Sequence, residues 1–320
     1  MPVYPELIPL SSKKPYLQFT VSLLIILIFS LVGLLLTMLT AWLIFGIAPG
    51  EISIGGQEYS LKEINYFKYI QALQHISIFL IPSLIISFFM KRDIGSYLGI
   101  NRWTGALAAV LSMLFIFFLI PLTSYLGWLN TGLDLPGWLE GMEEWMLGKE
   151  EQAGRLTSLL INTTTIGGLM VNMLIIAVIP AVGEEFLYRG VLQKIFLAWF
   201  RSGHLAVLLT AFIFSATHLQ FYGFLPRFVL GLAFGYMYLW SGSIWLPVLA
   251  HLVNNAIPVF LSYLLGWENI NSAVDEFSAQ DGLFVIVPTL IAALVLYNIR
   301  RISQGSSRGF NNMSTGRGGS

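Results

Sequence analysis

The chain has 320 residues, of which 56% are hydrophobic and only 11% charged, and its mean hydropathy is +0.75. Soluble domains carry roughly 25% charged residues, so this composition cannot cover a water-exposed surface and the bilayer must serve as part of the solvent. Seventeen basic and seventeen acidic residues cancel to zero net charge, which argues against nucleic acid as a partner, and the absence of cysteine excludes disulfides, thiolate nucleophiles and thiolate metal ligands.

Apolar runs long enough to cross ~30 Å of hydrocarbon predict about eight spans, near 17–46, 69–90, 104–126, 165–200, 203–222, 225–240, 244–265 and 282–299. The fold class is therefore an all-α polytopic membrane protein, with residues 1–302 as a single transmembrane domain. The first span follows Lys13 and Lys14, but its apolar stretch far exceeds a signal h-region and no A-x-A-like site follows, so it reads as a retained helix. Between the third and fourth spans, 137–147 sets Trp138, Leu139, Met142, Trp145 and Met146 among carboxylates at helical spacing. That pattern suits an interfacial amphipathic helix screening the interior, or an ordinary connecting helix. The Gly/Ser/Asn-rich stretch 303–320 predicts a disordered tail.

Threading eight spans puts Lys13/Lys14, Lys91/Arg92/Arg102, Lys194/Arg201 and Arg300/Arg301 on one side, and by the positive-inside rule that side is cytoplasmic. Both termini then lie in the cytoplasm, with the plasma (inner) membrane of a bacterium as the expected location. The acidic loops 127–160 and 266–281 fall on the other side.

A charge at the centre of a membrane helix costs at least ~2.5–3.5 kcal/mol on insertion scales. The fourth span nonetheless carries Glu184, Glu185 and Arg189 between aliphatic flanks. Glu185 and Arg189, at i and i+4, share a face and can pair; Glu184, ~100° round the helix, must look elsewhere. Pro180 removes a backbone bond just before them, and Gly183 and Gly190 allow close helix approach. His218 follows Phe214 by four residues, and Asn255 follows His251 by four. Each histidine alone reads as a hydrogen-bonded core residue, but three helices with polar groups to satisfy must converge to do so. His75 lacks such company and reads as structural; His204, at a span boundary, reads as interfacial.

Glu184-Glu185-x-x-x-Arg189, Phe214-x-x-x-His218 and His251-x-x-x-Asn255, in this order on successive helices, resemble the three motifs of the CAAX protease and bacteriocin-processing (Abi) family. Gly190 and Gln193 look like the extended first motif of its bacterial branch. The resemblance covers about 165–265, which would be the catalytic core. It implies eight helices around a chamber open to the cytoplasm, and hydrolysis of peptide bonds in membrane-associated or lipidated proteins or peptides. On the same resemblance Glu184 is the general base, His218 helps hold the attacking water, His251 and Asn255 stabilise the oxyanion, and Glu185 and Arg189 brace the first helix.

Glu184, His218 and His251 also suit Zn²⁺ or another divalent ion. No H-E-x-x-H pair is present and Glu185 is committed to Arg189, so metal-free glutamate catalysis is favoured. Intramembrane Glu, Arg and His also suit an ion-coupled transporter, although the inverted repeats expected of one are not found. A third reading is a catalytically silent member serving in bacteriocin immunity or as a scaffold.

Overall fold

The computed structural model describes residues 10–52, 59–132, 136–267, 269–270 and 282–314, with the backbone alone at 282–283 and 304–314. No strand occurs among the described residues. The main helices are α1 (Pro15–Phe45), α2 (Leu61–Met90), α3 (Ala106–Thr131), α4 (Glu140–Ile161), α5 (Ile166–Phe200), α6 (Gly203–Ala216), α7 (Phe224–Ser241), α8 (Trp245–Leu265) and α9 (Gly282–Ser314). Each of the eight predicted spans corresponds to one of them, and α4 is the ninth. Six are long and apolar enough to cross a membrane: α1, α2, α3, α5, α8 and the Phe284–Ser303 part of α9.

Helix α1 is apolar outside and polar or small inside, as packing within lipid favours. In α1 the buried residues are Gln18, Ser22, Gly33, Thr37 and Ala41, while Leu27, Leu31, Leu35 and Leu43 are more than half exposed. Here a capping box at Ser60 and Glu63 starts α2: the Glu63 carboxylate accepts from the Ser60 N–H (2.7 Å), and Ser60 Oγ accepts from the Glu63 N–H (3.3 Å). One apolar cluster fills the space among α3, α7, α8 and α9, around Phe115, Phe234, Met237 and Leu246. A second joins α2, α5 and the turn after α7 through Ile86, Leu98, Leu187, Ile195 and Ile244.

Two long helices depart from α geometry. In α2 the segment Ile76–Leu80 is π-helical, and in α5 so are Met173–Val178 and Phe186–Leu192. A π turn carries one residue more than an α turn and recurs at functional sites. These three segments bracket His75 and the Glu184–Glu185 pair.

The clusters Lys13/Lys14, Lys91/Arg92/Arg102, Lys194/Arg201 and Arg300/Arg301 lie toward one end of the bundle. A short helix, Ile94–Leu98, docks there against the turn after α7: Tyr238 Oη donates to Leu98 O (3.1 Å), Trp245 Nε1 to Ile100 O (2.8 Å) and Ser243 Oγ to Arg102 O (2.6 Å). Gly99 (φ +84°) and Gly242 (φ +64°) meet backbone to backbone, and a Cβ on Gly99 would collide with the Gly242 carbonyl. Arg300 lies over Trp240 (5.3 Å), and Phe19 near the start of α1 packs on Trp199 at the end of α5 (6.0 Å). The start of α1 and the end of the α9 span thus share this end.

Three expectations need correction. The fifth span stops at Ala216 rather than 222, so His218 stands in a turn between α6 and α7. The segment 137–147 is helical as read, a 3-10 turn over Gly137–Leu139 followed by the first turns of α4, but the helix does not end at 147 and runs on to Ile161. The last helix continues to Ser314, into the stretch read as a disordered tail, because extending a nucleated helix costs far less than starting one; 315–320 lie outside the described residues. So do Asp134, Glu268, Asp275, Glu276 and Asp281 of the acidic loops.

Candidate active site

Glu184 and Glu185 sit in the short α stretch Ile179–Glu185 between the two π segments of α5, and both are buried. As the i, i+4 spacing predicts, Arg189 Nη1 donates to Glu185 Oε1 (2.7 Å), with both side chains fully enclosed. The guanidinium also donates from Nη2 to Gly231 O on α7 (3.0 Å) and lies between the rings of Phe214 (4.6 Å) and Phe234 (5.3 Å). One turn on, Gln193 Nε2 donates to Gly235 O (3.0 Å). Gly235 lets α7 come close to α5 here, since a Cβ on it would stand 3.1 Å from Gln193 Oε1, and Gly231 lets it approach α6, where a Cβ would stand 3.0 Å from that of Ala211.

His251 of α8 joins the pair. Its Nδ1 donates to Glu185 Oε1 (2.8 Å), and its Nε2 lies 3.9 Å from Glu184 Oε2. Phe234 stacks on its ring (5.2 Å) and Phe214 meets it edge-on (5.9 Å). One turn along α8, Asn255 Oδ1 accepts from Asn254 Nδ2 (3.1 Å), so Asn255 keeps its own Nδ2 as a donor.

His218 reaches the site from the turn after α6. Fourteen residues at 1.5 Å rise give α6 a length of ~21 Å, short of the ~30 Å hydrocarbon core, so its end stops at depth. Leu219 takes the left-handed conformation (φ +54°), which non-glycine residues adopt uncommonly. His218 Nδ1 donates to Phe214 O (2.7 Å), which fixes the ring and turns Nε2 outward as an acceptor, and Glu184 is an electrostatic neighbour. The turn is held from several sides. Tyr188 Oη and Thr217 Oγ1 share a hydrogen bond (2.6 Å), and Asn130 Nδ2 donates to Phe221 O. Arg227 Nη2 donates to Gln220 Oε1 (2.6 Å), and Gln220 Nε2 to Glu150 Oε1 of α4 (3.3 Å). Trp145 of α4 covers Phe221 (5.5 Å).

His75, read as structural from the sequence, lies in this cluster: its Nε2 donates to Glu184 Oε1 (2.9 Å) and its ring stacks on Phe79 (4.5 Å). The close approach of α2 needs Gly183, whose Cβ would stand 3.1 Å from that of Phe79. The available signal was one imidazole beside Gln71 and Gln74 in a long apolar run; its partner is 109 positions away. His204, at a span boundary as expected, faces the Tyr236 hydroxyl (2.9 Å), apart from the site.

Glu184 Oε1 is thus held by His75, while the buried Oε2 has no protein hydrogen-bond partner. Among the described residues no group of three or more His, Asp or Glu side chains is arranged to hold a metal ion. The would-be ligands Glu184, His218 and His251 are neighbours, and His251 and His218, each bonded through Nδ1 to another partner, keep Nε2 as the free ring nitrogen.

A family model described as type II CAAX prenyl endopeptidase Rce1-like matches residues 166–257. Neither the curated proteins nor the solved structures gave a match to the chain. The matched segment runs from the start of α5 into α8 and includes Glu184, Glu185, Arg189, His218, His251 and Asn255, but neither His75 nor α4. Over this segment the chain is similar to the CAAX protease and bacteriocin-processing family.

Proposed function

We propose that the chain is an intramembrane endopeptidase in which Glu184 activates water against a peptide bond of a membrane-associated or lipidated substrate. The observation that carries this is the asymmetry of the Glu184 carboxylate: one oxygen accepts from His75, and the other is buried beside His251 Nε2 without a protein partner. A water taken up there is oriented by Glu184 Oε2 and His218 Nε2, both acceptors. As its oxygen bonds to the scissile carbonyl carbon, its proton passes to Glu184. The negative charge then forming on the carbonyl oxygen is met by Asn255 Nδ2 and by the ring of His251, which Glu185 holds through Nδ1. Collapse breaks the C–N bond, and the amine leaves with the proton held by Glu184. His75 is a positioning residue: it fixes which carboxylate oxygen faces water. Glu185 and Arg189 hold His251 and α7 in register with α5.

The basic end faces the cytoplasm in this reading, so substrate enters from that side or laterally from the bilayer. The test is hydrolysis of a prenylated C-terminal peptide by the purified protein in detergent. Glu184→Gln and His218→Ala are expected to lower kcat by ~10²–10⁴-fold with an unchanged thermal midpoint; full turnover by both variants would overturn the assignment. Activity that survives chelation supports metal-free chemistry, whereas activity restored only by added Zn²⁺ overturns it. Proton-dependent solute uptake in proteoliposomes would favour a transporter.

A further inference from the structure

At the basic end, one helix end away from the catalytic cluster, a cavity of about 240 Å³ opens between the 91–102 segment, α5 and the end of α7. Its polar lining includes Arg102, Lys194, Ser96 and Gln193, and its apolar wall Leu197 and Leu239. Two cations facing one cavity repel each other, and among the described residues neither Arg102 nor Lys194 forms an ion pair. Each is nevertheless held in place. The Arg102 guanidinium lies against Gly242, where a Cβ would collide with it, and the Arg102 carbonyl is anchored by Ser243 Oγ. The Lys194 ammonium sits over the rings of Tyr97 (4.3 Å) and Tyr238 (5.6 Å). A third cation reaches the rim, where Lys91 Nζ donates to Ser96 Oγ (2.7 Å). The acid of this segment, Asp93, is used as the cap of the short helix, accepting from the Ser96 N–H (2.9 Å).

We propose that this cleft binds the phosphate of an anionic phospholipid headgroup. A guanidinium fork beside an ammonium matches a phosphate. The depth also fits: Trp103 and Trp199, both exposed, mark the level at which indoles sit among headgroups, and the leucine wall offers a surface for the glycerol and upper acyl chain. Basic pockets between membrane helices on the cytoplasmic side bind anionic headgroups in this way. The site draws on residues the catalytic reading does not use, so either can fail alone. Bound phosphate would also neutralise the repulsion at the end of α5, the helix that carries Glu184 and Glu185.

The test uses the full-length protein, delipidated in detergent and offered acyl-matched phosphatidylglycerol and phosphatidylcholine, with retained lipid read by native mass spectrometry. Wild type is expected to prefer phosphatidylglycerol by ~10-fold or more, equivalent to ~1.4 kcal/mol. Arg102→Gln with Lys194→Gln should abolish that preference, and Ser96→Glu, which sets a carboxylate among the cations, should do so with both cations still in place. Arg300→Gln with Arg301→Gln, at the same end but outside the cleft, should keep it. Equal preference in the cleft variants, or equal loss in the Arg300/Arg301 variant, overturns the site. Inorganic phosphate that raises the thermal midpoint of lipid-free wild type but not of Ser96→Glu, with no preference between the lipids, overturns the lipid assignment in favour of a soluble phosphate.

Discussion

Glu184 and His75 come from helices whose sequences give no hint of each other, and their 2.9 Å contact engages Oε1 and leaves Oε2 without a protein partner. A hydrogen bond to a charged group contributes about 1.5–3 kcal/mol, and each ~1.4 kcal/mol is tenfold in rate. If the contact orients Glu184 for the transition state, His75→Ala should lower kcat by roughly 10–100-fold with little change in KM. His75→Gln, whose amide can still donate, should recover part of the loss. Peptidase kinetics on the three proteins checks this, and a loss borne by KM alone would refute the positioning role. The motif residues were legible because helical spacing puts Glu185 with Arg189 and His251 with Asn255 on shared faces. His75 was not, because its only partner lies on another helix and periodicity within one span cannot reveal it.

The elements carry information that a hydropathy profile lacks. An apolar run looks the same whether its backbone is α or π, yet Met173–Val178 and Phe186–Leu192 set the rotation at which α5 presents its acids and Arg189. The run 203–222 likewise looks uniform, but the chain leaves the helix at Ala216 and delivers His218 from a turn. Helix proximity was partly legible in Gly183, though not the identity of the neighbour. A Cβ there already presses on Phe79 at 3.1 Å, so Gly183→Val should push α2 outward and weaken the His75–Glu184 contact. The expected result is a kcat loss at least as large as that of His75→Ala, with the two losses not adding in the double variant. A double-mutant cycle on kcat makes the comparison, and full additivity would show that Gly183 acts elsewhere.

At the scale of the whole molecule, composition alone was enough to specify a helical membrane bundle, and basic clusters enough to predict that they share one end, as they do. What ties α5, α7 and α8 together is the enclosed Arg189, which joins α5 to α7, while Glu185 joins α5 to α8 through His251. Removing one partner of a buried ion pair costs about 3–5 kcal/mol because a charge is left uncompensated. Glu185→Gln should therefore lower the thermal midpoint in detergent and the yield of folded protein. Adding Arg189→Met should restore stability but not activity. An unchanged midpoint in Glu185→Gln would show that the pair does not hold the bundle.

The Arg189 guanidinium also sets an order of events during synthesis. Its carbonyl acceptor at Gly231 is 42 residues further along the chain, and His251, which shares Glu185 with it, is later still. When α5 leaves the ribosome its cation has a local carboxylate but none of the walls that later enclose it. Passage into lipid at that moment would carry a larger solvation penalty than in the finished bundle, where Gly231 and the rings of Phe214 and Phe234 enclose the guanidinium. The expected outcome is that insertion of α5 is coupled to its assembly with α7 and α8.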